Sequence, residues 1–214
     1  MRKIFFATAL LLSTAAFSQS TWRFGIKAGG NLSISNIKLN GQKLSADSRV
    51  GFFGGGLVEL SPGDSDSHFK LQAEALFSDM NVNYPMQSVG VGKRSDKINL
   101  QQISVPILAK FYIIDALSIN VGPTFNFNLN GKYTLIDQNN SELATKLNSD
   151  RLQTFQFGFA AGATYNLFKG FFVDARYNPT FGKINKNESG TNSFEYMNGK
   201  VKWSNAQIGI GYLF

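Results

Sequence analysis

The chain has no cysteine and a single histidine among its 214 residues. The first absence excludes disulfide scaffolds, thiol nucleophiles and cysteinyl metal sites, and the second excludes histidine-rich metal clusters. Charge is scarce too: 16% of residues are Asp, Glu, Lys or Arg, against roughly 25% in ordinary soluble domains. Past the N-terminus no run approaches the ~18 consecutive apolar residues of a transmembrane helix. What remains is rich in glycine (21) and phenylalanine (20) and 43% hydrophobic overall, far too apolar for a disordered chain. The length suits one domain, or two small ones.

The N-terminus reads as an address. Arg2 and Lys3 precede an apolar run from Ile4 to Leu12, and Ala16-Phe17-Ser18 places small residues around a cleavage point. This is the pattern of a secretory signal peptide. A leader over residues 1–18 is expected, followed by one exported domain over 19–214.

From Trp22 onward the chain counts in twos. Trp22, Phe24, Ile26, Ala28, Gly30 and Leu32 alternate with Arg23, Gly25, Lys27, Gly29 and Asn31, the signature of a strand with one apolar face. Seven more runs repeat it, most plainly Leu117 to Leu129 and Phe155 to Leu167. Two parity changes stand out. Ile98 and Leu100 precede Ile103, Val105 and Ile107 on the opposite parity, which suggests a bulge near Gln101-Gln102. Val201 and Trp203 likewise precede Ala206, Ile208 and Ile210.

The connections alternate as well: long over residues 33–48, 80–97, 130–151 and 182–199, short over 61–67, 113–115 and 168–170. An all-β, eight-stranded antiparallel up-and-down transmembrane barrel is expected, with tight turns at the periplasmic end.

Bulk decides which row faces inward. The apolar rows carry about eighteen aromatic rings, and an eight-stranded barrel is only just wide enough inside for ordinary side chains. The rings therefore face lipid. The opposite rows hold glycines, small polar residues and the charges Arg23, Lys27, Arg49, Glu59, Lys70, Glu74, Lys110, Asp174 and Arg176, expected to form a polar network filling the lumen. Aromatics near strand ends are expected at the membrane interfaces: Trp22, Tyr165, Tyr212 and Phe214 at the turn end, Phe127, Phe155, Phe181 and Trp203 at the long-loop end.

Four segments carry a family resemblance: Phe24-Gly25-Ile26-Lys27-Ala28-Gly29-Gly30-Asn31-Leu32-Ser33, Leu71 to Ser78, Gln102 to Lys110, and Gly209-Ile210-Gly211-Tyr212-Leu213-Phe214. Together they resemble the PorT-like outer-membrane β-barrel family of Bacteroidetes-type bacteria. The resemblance implies the outer membrane of a Gram-negative bacterium as the location, and a link of some members to protein secretion. Phe214 resembles the terminal aromatic that the barrel-assembly machinery reads.

For chemistry the residues offer little. His68, after the short 61–67 connection, sits at the end away from outer-leaflet lipid, and Asp64, Asp66 and His68 define no cation geometry. Gly54-Gly55-Gly56 lacks the Lys-Ser/Thr continuation of a phosphate loop. No catalytic, cofactor or metal residues are assigned. The expected role is non-enzymatic, structural or interactive, exerted through extracellular loops by a monomer. Expected partners are outer-membrane lipid and lipopolysaccharide, the assembly machinery during insertion, and an envelope protein; nucleic acid is not among them. The alternative is a small lipid-modifying enzyme, or a solute-binding or porin-like barrel.

Overall fold

Alternating side chains demand a backbone whose polar groups are paired between strands, and in hydrocarbon that pairing must close on itself. A computed structural model of the chain describes residues 21–39, 42–45, 47–62, 68–85, 95–136, 142–147, 152–182 and 200–214. The expected leader lies outside them. The strands are β1 (Thr21–Leu39), β2 (Gln42–Ser45), β3 (Asp47–Ser48), β4 (Val50–Ser61), β5 (Phe69–Pro85), β6 (Ser95–Ile114), β7 (Leu117–Ile136), β8 (Glu142–Leu147), β9 (Phe155–Asn166), β10 (Phe171–Pro179) and β11 (Lys200–Leu213). Eight of them follow one another in the order β1, β4, β5, β6, β7, β9, β10, β11, and β11 returns to pair with β1. The result is a closed eight-stranded antiparallel barrel with no free edge.

The other three strands lengthen the walls at the loop end: β2 on β1, β3 on β5 and β8 on β7. The loop end is thus more strand and less loop than the polar composition suggests. Segments 33–39, 80–85, 95–97, 130–136 and 142–147, expected in long connections, are all strand. Polarity on the outward row marks where lipid ends, whereas main-chain pairing needs no apolar face and continues past it.

At the other end the hairpins are tight. Asp115 and Ala116 form the turn from β6 to β7. Between β9 and β10, Lys169 (φ 45°) and Gly170 (φ 87°) both take left-handed conformations, as a two-residue hairpin turn requires.

The register shift beside Gln101/Gln102 exists, but the extra residue is Leu129 of β7: Gln101 lies opposite Asn130, and Gln102 opposite Asn128. Strand β6 keeps its phase against β5 throughout this region. Ile98 and Leu100 therefore share the inward row with Gln102 and are buried, 6% and 1% exposed. Strand β11 has no shift against β1 either, so Trp203 also points inward and is 3% exposed. This corrects its expected place at the membrane interface. Outward rows remain apolar and exposed, as with Phe24, Ile107, Phe157 and Ile210, and they form the surface that meets hydrocarbon.

Candidate functional site

The only enclosed volume an eight-stranded barrel can offer is its lumen. Here two ionic clusters fill its turn-end half. The first joins three strands. Lys27 of β1 lies 3.1 Å from Glu74 of β5 and 3.0 Å from Asp174 of β10, and Arg176 of β10 donates to Glu74 (2.9 Å) and Asp174 (3.1 Å). Strands β5 and β10 stand on opposite walls, so the Arg176–Glu74 pair spans the lumen. All four side chains are sealed from solvent. Gln72 donates to Glu74, Thr164 to Asp174 (3.0 Å), and Asn120 to Thr164 (2.6 Å). Two cations meet two carboxylates, and the remaining lone pairs are occupied by neutral donors. That arrangement is the condition under which buried ions are tolerable.

The second cluster lies nearer the turn end. Glu59 of β4 receives Lys110 of β6 at 2.7 Å and Lys70 of β5 at 3.5 Å, and Arg23 stands opposite Glu59 in register. Both lysine ammoniums lie over the Tyr112 ring, at 5.0 Å for Lys70 and 5.6 Å for Lys110, a cation–π contact.

Of the nine charged residues assigned to the lumen, the structure connects seven through ion pairs and sets Arg23 beside them. Arg49 is different: it is exposed at the loop-end rim. Parity gives the direction of a side chain but not its height, and Arg49 begins β4 where the wall already opens.

The loop-end half is filled without charge among the described residues. Carboxamides and hydroxyls run up the wall: Gln102 donates to Asn128 (2.8 Å), Ser104 to Asn126 (2.6 Å), and Asn178 to Asn205 (2.7 Å) and Gln207 (2.9 Å). Above them Met80 faces Leu100 and Val82 faces Ile98, with Leu152 and Trp203 also buried. The lumen is therefore not wholly polar, as its charged rows suggest, but carries an apolar cap. Between the halves Phe53 lies 5.5 Å from the Lys27 ammonium. Its ring crosses to β11, where a Cβ at Gly209 would sit 2.7 Å from it.

Outside the wall, Trp22, Tyr165, Tyr212 and Phe214 lie toward the turn end and Phe127, Phe155 and Phe181 toward the loop end, all on outward rows. His68 is exposed; Asp64 and Asp66 lie outside the described residues. Among the described residues no group of three His, Asp or Glu converges on a point.

Residues 17–186 match the outer membrane protein beta-barrel domain family. No curated protein sequence matches. Among solved structures the chain is similar to Ail, the attachment invasion locus protein of Yersinia pestis, crystallised with the heparin analogue sucrose octasulfate. Identity is 16% over 90% of this chain and 99% of that one, with a TM-score of 0.49. It is similar also to Neisserial surface protein A (13%, 89% and 97%, TM-score 0.46). A third is OprG of Pseudomonas aeruginosa (16%, 92% and 97%, TM-score 0.44). A closed barrel with an apolar exterior, matched over most of its length by one family, places the chain: it belongs to the outer membrane protein β-barrel domain family and resides in the outer membrane of a Gram-negative bacterium.

Proposed function

We propose that the chain is a non-enzymatic barrel, a closed and rigid stem that holds its loop-end connections and hairpin extensions out to another component of the envelope. One observation carries this reading: the Lys27–Glu74–Asp174–Arg176 cluster ties opposite walls together at zero or near-zero exposure. A solute path would have to break paired, desolvated charges, and the carboxylates in that cluster are held by cations rather than poised as bases. The β-extensions support the same reading, because a binding surface built on strands is more precisely placed than one on free loops.

Membership of a PorT-like branch is part of the proposal. Two of the segments that carry the resemblance, Phe24–Ser33 and Gly209–Phe214, pair side by side as the seam that closes the barrel. Removal of residues 1–18, a monomeric state and recognition of Phe214 by the assembly machinery belong to it as well. Phe214 is 69% exposed, its amide donating to Phe24 O at 2.8 Å.

Two measurements test the role. Planar-bilayer recordings of the purified chain are expected to show no sustained openings; stable openings would favour the porin-like alternative. Excising residues 136–148 is expected to leave insertion intact and abolish co-purification of an envelope protein from native membranes. An unchanged set of co-purifying proteins would count against an interaction role for that hairpin.

A further inference from the structure

The loop half of the lumen holds polar atoms that no described residue satisfies. Asn178 donates through Nδ2 to Asn205 Oδ1 (2.7 Å) and Gln207 Oε1 (2.9 Å), which leaves its own Oδ1 unbonded. Turning the amide over would only set its oxygen against two others. Gln156 accepts from Asn128 (3.3 Å), and its Nε2 finds no acceptor. Asn31 donates to Phe52 O (3.0 Å) and Asp79 O (3.3 Å), while its Oδ1 stays unbonded. The hydroxyls of Ser33 and Ser78 have no partner. All five residues are more than nine-tenths buried.

These atoms face one space. Ser33 lies opposite Asn205 and Asn205 opposite Asn178, so β1, β11 and β10 present them side by side. Strand β9, next to β10, adds Gln156. Asn205 reaches across the bore and donates to Met80 Sδ on β5 (3.4 Å). Ser78 is the next inward residue below Met80, as Asn31 is below Ser33. The apolar cap closes this space from above, and Phe53 and the ion plug close it from below.

The chemistry of the set selects the ligand. Two hydroxyls, two carboxamide oxygens and one carboxamide nitrogen ask for both donors and acceptors. No charge faces this half among the described residues, so an ion would be desolvated there without a counter-charge. Water donates two hydrogen bonds and accepts two, and it is small enough to enter as the wall breathes. Folded chains hold on the order of one buried water per 27 residues, each bound to about three otherwise unsatisfied polar groups.

We propose that a cluster of ordered water molecules occupies this chamber, bridging Ser33, Ser78, Asn31, Asn178 and Gln156 between the cap and the ion plug. The bore is then wet and impermeable at once. This inference goes beyond the role proposed above and does not depend on what the loops hold.

The test is X-ray radiolysis of the full chain, folded into nanodiscs from polyol-free buffer, with oxidation read residue by residue by mass spectrometry. Hydroxyl radicals arise wherever water sits and react close to their origin. Met80 and Trp203 border the chamber and are 1% and 3% exposed. Phe172, 2% exposed within the apolar Leu57–Phe172–Leu213 cluster, is the dry reference. Corrected for intrinsic reactivity, Met80 and Trp203 are expected to oxidise about tenfold faster than Phe172, and far more slowly than in the urea-unfolded chain. The double variant Ser33→Ala/Ser78→Ala, its folding verified by heat-modified gel mobility, is expected to cut the Met80 rate severalfold without raising the urea midpoint. Oxidation of Met80 at the Phe172 level would mean a dry chamber and overturn the cluster. So would a raised midpoint in the double variant, since deleting hydroxyls that had no partner relieves a desolvation cost. Oxidation at the unfolded rate would also overturn it, by showing a lumen in free exchange with bulk water. Conductance and the co-purifying protein are measured separately, so the stem reading stands or falls on its own observations.

Discussion

The two halves of the lumen are closed by different physics. Toward the turns, Glu59, Glu74 and Asp174 are satisfied by Lys27, Lys70, Lys110 and Arg176 across the bore. Toward the loops, closure relies on neutral amides and on an apolar cap of Met80, Val82, Ile98, Leu100, Leu152 and Trp203. An ionic plug is directional: each partner fixes the rotamer of the other, and the loss of one leaves a charge with no water to turn to. An apolar cap is forgiving, because neighbours shift to fill a vacancy. The turn half should then govern whether the barrel forms, and the loop half should tolerate repacking.

The sharpest test of that contrast removes a shared acceptor. Glu74 binds both Lys27 and Arg176, so Glu74→Ala strands two cations against Asp174 alone. A loss of about 3–5 kcal/mol is expected, read as a lower urea midpoint of the reconstituted barrel. Adding Lys27→Met should recover part of it, because one stranded charge is removed. If the single variant unfolds at the wild-type midpoint, the plug is not what holds the walls.

In the other half, Leu100→Ala should cost less, about 2–3 kcal/mol, near the lower end for a buried leucine. Its partner across the pair is Met80, an unbranched side chain able to reach into the gap. The same urea titration reports it. A loss as large as that for Glu74→Ala would erase the distinction between the halves.

The closing rows also explain what could be read from residue order and what could not. The period of two located eight strands and sorted Lys27, Glu59, Glu74, Lys110, Asp174 and Arg176 to one face, because alternation is a local property of an extended chain. Which of them meet depends on register around a closed wall: Arg176 and Glu74 are 102 residues apart, and no local pattern encodes that distance. The apolar rule failed at Ile98, Leu100 and Trp203 for a definite reason. Hydrophobicity reports exclusion from water, and in this barrel both the lipid face and the cap provide it. The shift in phase at Gln101-Gln102 was legible, but its owner was not, since a bulge is defined by the partner strand and here belongs to Leu129.

Glycine separates the two faces within a single tripeptide. On β4, Gly55 looks inward and Gly54 outward. A Cβ at Gly55 would sit 2.0 Å from Ala75 O, whereas at Gly54 its nearest neighbour is Ala28 Cβ at 3.6 Å. Gly55→Ala must displace the β5 backbone and should cost about 1–3 kcal/mol as overpacking. Gly54→Ala should change stability by about 0.5 kcal/mol or less. Comparable losses at both positions would mean that the outward glycine is needed for something other than wall packing.

Another small effect concerns Trp203, and its readout is spectroscopic. The chain has two tryptophans: Trp22 is 53% exposed on the outward row and Trp203 is 3% exposed within the cap. Trp203→Phe keeps most of the buried ring and should cost about 1 kcal/mol or less, small because the Trp203 Nε1 has no hydrogen-bond partner to forfeit among the described residues. With Trp22→Phe in place, the fluorescence of Trp203 should resist both aqueous acrylamide and brominated acyl chains. With Trp203→Phe in place, the remaining Trp22 should be quenched by the brominated lipid. Quenching of Trp203 from the lipid side would return it to the membrane interface, and with it would go the argument that β11 runs without a phase change and that an apolar cap closes the upper lumen.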